Sequence, residues 1–75
     1  MKNIFKTEEK MATGFIKRIL REDKELFKRV MSLSERKTFI RNVRALIACT
    51  YASDSSVADV KEFFVAALYC RERAC

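Results

Sequence analysis

The apolar positions of residues 11–31 come in adjacent pairs: Met11/Ala12, Phe15/Ile16 and Ile19/Leu20, then Leu26/Phe27 and Val30/Met31. Within each block the pairs recur every four residues, which places them on one broad face of a helix. Lys10, Lys17, Arg21, Lys24 and Lys28 fall on the opposite face as one basic stripe. The segment Arg21-Glu22-Asp23-Lys24-Glu25 interrupts the pattern. A straight helix through it would set Asp23 in the middle of the apolar arc, and an unpaired buried carboxylate is costly. The favoured reading is therefore a break: a first helix over about 7–21 and a second over 24–31, with Asp23 as the cap of the second and Glu25 in its first turn. One long helix with a buried or rim Asp23 is the alternative.

Thr7 fits the N-cap of the first helix, with Glu8 and Glu9 in its first turn, where carboxylates favour the helix dipole. Residues 1–6 are then expected to fray, with Ile4 and Phe5 folding back on the core. Gly14 lies on the polar side, where it costs roughly 1 kcal/mol relative to alanine. It is either simply tolerated or marks a place where a partner comes close.

Ser32 followed by Glu35 matches a capping box, with Ser34 as the rival cap. A third helix over about 35–51 follows. Its apolar stripe is Phe39, Ile40, Val43, Leu46, Ile47 and Tyr51, and a second stripe is Lys37, Arg41 and Arg44. Residues 52–56 form a turn, with Ser56 and Asp59 as a weaker capping box and Asp54 as the other candidate cap. The fourth helix spans about 57–71. Eleven of the fourteen residues from Val57 to Cys70 are apolar. Val57, Val60, Phe63, Phe64, Ala67 and Leu68 form the core face, while Val65, Ala66, Tyr69 and Cys70 lie off it. A helix apolar nearly all round is buried on more than one side. This one is read as either the central helix or the seam of a homodimer built on Val65, Ala66, Tyr69 and Cys70.

The pattern predicts an all-α fold: one domain over residues 1–75, a compact bundle of three to four short helices. One Gly and no Pro in 75 residues agree, because strand-rich folds need turn residues in number. So small a core leaves a narrow margin of stability, which dense helix packing or self-association would widen.

Charge sharpens the picture. The net charge is +6, unevenly spread. Residues 1–44 carry 13 Lys/Arg against 6 Asp/Glu, net +7, and residues 45–75 carry 3 against 4, net −1. The first half builds a basic surface of the kind that suits nucleic acid, an anionic membrane or an acidic protein. Membrane binding ranks last, because the apolar face of residues 11–31 is needed for the core. No apolar run approaches the ~20 residues that span a bilayer.

Catalytic chemistry finds little support. There is no His, the commonest general base and metal ligand. Cys49, Cys70 and Cys75 form no cluster with metal-ligand spacing and are read as small apolar filler or a terminal thiol. The carboxylates sit where helix starts favour negative charge, and no Gly-rich loop cradles a phosphate. The expectation is a non-enzymatic protein without metal or cofactor. An odd cysteine count and no signal peptide point to a reducing, cytoplasmic compartment.

The candidate binding residues are Lys10, Lys17, Arg21, Lys24, Lys28, Arg36, Lys37, Arg41 and Arg44. Two functional classes compete. A regulatory module would dock on a larger protein through an acidic surface or a nucleic-acid channel, inhibiting or redirecting it. Virus-encoded regulators of host machinery offer an analogy here, from size and composition alone. Direct DNA or RNA binding would instead use the third helix as a recognition helix, with Arg36, Lys37, Arg41 and Asn42 as readers. The turn before that helix lacks the usual Gly, and the aromatics sit at core spacing rather than as stacking platforms.

Overall fold

The computed structural model describes the backbone of residues 2–74 and the side chains of residues 8–74. Four helices follow one another: α1 (Lys2–Glu22), α2 (Lys24–Met31), α3 (Arg36–Thr50) and α4 (Val57–Arg73). No strand occurs among the described residues. The molecule measures 36 × 22 × 16 Å, and at 1.5 Å per residue the 21 residues of α1 span about 32 Å.

Four-residue spacing selects the core. Leu26 and Val30 of α2, Phe39, Val43 and Ile47 of α3, and Val60, Phe64 and Leu68 of α4 are all buried. Each set lies on one i, i+4 ridge, the ridge that helix packing interdigitates. Ala12, Phe15, Ile16 and Ile19 of α1 close the cluster. The Phe39 and Phe64 rings meet edge-to-face at 5.6 Å, and Tyr51 and Phe63 do the same at 5.8 Å. α1 packs on all three other helices, most extensively on α3. The central helix is thus α1, not α4, because its wider face serves three neighbours while α4 packs chiefly on α1 and α3.

The break at Asp23 forms. Its backbone is extended (φ −123°, ψ 95°), so the helical path ends there. Its amide still donates to the Ile19 carbonyl at 3.1 Å, and its carboxylate accepts from the Leu26 amide at 3.0 Å. Asp23 thereby closes α1 and caps α2. Lys61 of α4 pairs with the same carboxylate at 3.1 Å. The Leu26 amide first, then Lys61, hold the Asp23 carboxyl below its ordinary value. Ser56 caps α4 as expected, accepting from the Ala58 amide at 3.1 Å.

Other local expectations are corrected. α1 begins at Lys2, so Thr7 is an interior position rather than a cap, and Glu8 and Glu9 are not in the first turn. The side chains of Ile4 and Phe5 lie outside the described residues. The position before α3 is Glu35, with no side-chain capping bond, so neither Ser32 nor Ser34 caps this helix. The Ser32 hydroxyl donates instead to the Lys28 carbonyl at 2.9 Å, satisfying the end of α2. The Glu35 carboxylate is held by Arg71 at 3.0 Å, drawn away from the capping box by a residue 36 positions on.

The pattern places Phe27, Met31 and Leu46 on the apolar face, yet they are 44%, 39% and 51% exposed. Each lies next in sequence to a buried ridge residue (Leu26, Val30 and Ile47), about 100° round the helix from it. A small bundle covers the ridge and leaves that flank in water.

Candidate basic docking face

The nine candidate cations stay at the surface: Arg44 is half-buried and the other eight are exposed. Among the described residues none of them forms an ion pair. The four ion pairs draw on other bases: Arg18–Glu22, Arg29–Glu72, Lys61–Asp23 and Arg71–Glu35. Three of these join distant elements. Arg29 grips Glu72 with two hydrogen bonds, 2.7 and 3.0 Å, tying the second half of α2 to the end of α4. This pairing lowers the Glu72 carboxyl and raises the Arg29 guanidinium from their ordinary values. The acids Glu22, Asp23, Glu35 and Glu72 are thus engaged by bases outside the candidate set, which leaves the nine uncompensated by direct contact.

Two grooves bring six of the nine into named surroundings, or seven with a third. The first, about 480 Å³, runs between α1 and α3 and is lined by Lys10, Lys17 and Arg44 with Glu9, Thr13 and Gly14. The second, about 300 Å³, lies between the last turn of α2 and the flank of α3, lined by Met31 and Ile40 with Arg36, Lys37, Arg41 and Arg44. Arg44 lines both, so the stripes of α1 and α3 join there. Lys28 lines a separate groove with Glu25, Arg29 and Glu72, where charge is mixed. Six cations therefore gather around the two joined grooves, Lys28 lies apart from them, and Arg21 and Lys24 are simply exposed.

Met31 is exposed on this face although the pattern places it on the apolar side, while Ile40 is half-buried and packs against the core as its stripe predicts. The signal that marks Met31 is its place as the flanking member of the last apolar pair. Asn42 is exposed on α3 beside Arg41, and the connector between α2 and α3 is the four residues 32–35.

The strip assigned to a homodimer is mixed in character. Val65 is half-buried, while Ala66, Tyr69 and Cys70 are exposed. Arg73 covers Tyr69, its guanidinium carbon 5.4 Å from the ring centroid and its Nη1 donating to the hydroxyl at 3.1 Å. Cys49 and Cys70 are free thiols, and Cys75 lies outside the described residues. Among the described residues no three Cys, Asp or Glu side chains gather as a metal site would require. No described helix is long and apolar enough to cross a membrane. Comparison with protein-family models, curated proteins and solved structures finds no match.

Proposed function

We propose that this chain is a non-enzymatic regulatory module that docks on an acidic surface of a larger protein and thereby blocks or redirects it. The supporting observation is the set of cations around the two joined grooves, Lys10, Lys17, Arg36, Lys37, Arg41 and Arg44, with no ion pair to any of them among the described residues. Unpaired like charges that close together raise the local potential and speed encounter with an anionic partner. Because they are exposed, the attraction weakens as salt shortens the screening length.

Direct nucleic-acid binding is the second reading. It is favoured by the order α2, four-residue connector, α3, with Lys37, Arg41 and Asn42 exposed on the second of the two helices. Fluorescence anisotropy separates the two. Labelled polyglutamate, duplex DNA and single-stranded RNA are titrated with reduced protein across a range of salt. Polyglutamate binding with a negative salt slope, lost in Lys17→Glu/Arg41→Glu/Arg44→Glu, supports docking on an acidic protein. Tighter binding of DNA or RNA, with the steeper slope of counterion release, moves the reading to nucleic acid. Absence of binding to every polyanion at low salt removes both.

A further inference from the structure

We infer that the groove between α2 and α3 takes an acidic, amphipathic helical segment of a protein partner. The inference rests on the docking reading above and assigns it a place and a chemistry. Four of the six residues lining this groove are cations, none is acidic, and the other two are Met31 and Ile40. The α1–α3 groove, by contrast, contains Glu9, and the groove around Lys28 contains Glu25 and Glu72. The α2–α3 groove thus joins an apolar floor to an uncompensated cationic rim.

Each half of that description restricts the occupant. Met31 is 39% exposed, and Phe27, one turn earlier on the same helix, is 44% exposed. Water on these side chains is released only by an apolar surface. A phosphate backbone offers none, whereas a partner helix with apolar residues at i, i+3 and i+4 does. The rim requires negative charge on either side of that apolar stripe. Three of its four cations, Arg36, Arg41 and Arg44, are arginines, whose planar forks match carboxylates two hydrogen bonds at a time. Length is bounded too: α2 has eight residues, about 12 Å or two turns, so the groove suits a segment of two to three turns.

The arrangement also shows why the face stays open in this chain. The ionic ties Arg29–Glu72 and Lys61–Asp23 fasten α2 to α4 along its other side. The flank that bears Phe27 and Met31 is left toward solvent, on a helix already anchored. A partner would meet an apolar floor already in place on an anchored helix, and binding would order the cations of the rim.

The test uses a fluorescein-labelled synthetic helical peptide with leucines at i, i+3, i+4 and i+7 and glutamate elsewhere. Polyglutamate of the same length and a short duplex DNA serve as comparators, all at physiological ionic strength. The amphipathic peptide is expected to bind at least about tenfold tighter than polyglutamate, a margin that one buried aliphatic side chain supplies. Met31→Gln, close in size and helix propensity, is expected to cancel that margin while leaving polyglutamate binding in place. Arg41→Glu is expected to weaken both acidic probes. Amide shift mapping on the unaltered protein supplies a readout independent of any variant, with the largest changes expected at Met31, Ile40 and Arg41.

Equal binding of the two acidic probes overturns the inference and leaves the docking reading standing. Shifts centred on Lys10 and Lys17 do the same. Tighter binding of the duplex overturns it in favour of nucleic acid. No binding of any probe, including at low salt, overturns the inference and the docking reading together.

Discussion

Gly14→Ala is expected to stabilise the fold. Gly14 sits inside α1 and is exposed, its φ is not positive, and a Cβ added there meets no atom within 4 Å. Nothing in the folded state therefore opposes the methyl group. Glycine in a helix interior is less favourable than alanine by about 0.8–1.0 kcal/mol, because its unfolded backbone has more freedom to lose. The substitution should recover about that amount. For a domain of this size 1 kcal/mol moves the melting temperature by about 4–8 °C. Thermal and urea unfolding followed by circular dichroism would read the change, with the urea slope unchanged because no surface is added or lost. A melting temperature equal to or below that of the unaltered protein would refute the reasoning, since it would require contact or strain where open space is found. The same position lines the α1–α3 groove beside Lys17 and Arg44. Gly14→Leu should therefore keep the helix, and any loss of polyanion binding it causes would come from occupation of that groove.

Neighbours on α3 should respond in opposite ways. Ile47→Val removes a methyl from a fully buried residue and is expected to cost about 0.5–1.5 kcal/mol in urea unfolding. Leu46→Ala, at a half-exposed site, should stay within about 0.5 kcal/mol. Acid should weaken the ties of α2. The Asp23 and Glu72 carboxyls are lowered in the folded state from 3.8 and 4.5, so the stability they add is present above those values. It is lost as pH falls below 4.5 and 3.8 toward the folded values. Urea midpoints taken from pH 6 downward should drop in that window, and less steeply in Asp23→Asn and Glu72→Gln. A homodimer through Val65, Ala66, Tyr69 and Cys70 should give twice the 8.8 kDa chain mass by light scattering at tens of micromolar. Ala66→Glu should halve it, and a monomeric mass for the unaltered chain would remove that interface.

Much of the architecture was legible from residues close together in the chain. The number of helices, the break at Asp23 and the cap at Ser56 follow from local chemistry. A carboxylate in an apolar arc calls for a partner within a turn, and the Leu26 amide supplies it. The ridges Phe39/Val43/Ile47 and Val60/Phe64/Leu68 follow from four-residue spacing. The stripes also set Arg18 and Arg29 apart from the candidate cations, and both pair with acids, as Lys61 and Arg71 of α4 do.

What local chemistry left open was settled by residues far apart in sequence. Pairing in the pattern Leu26/Phe27 or Val30/Met31 does not say which member turns inward. That depends on how many neighbours a helix has, and a four-helix bundle of this size covers one ridge of α2. A capping box at Ser32 and Glu35 is sound locally, yet Arg71 competes for the Glu35 carboxylate across the fold. The meeting of the α1 and α3 stripes at Arg44 is likewise decided by the packing of the two helices. Periodicity fixes the face of each helix because backbone geometry is local. It cannot fix which faces adjoin, because that is set by the summed packing of all four helices around one shared core.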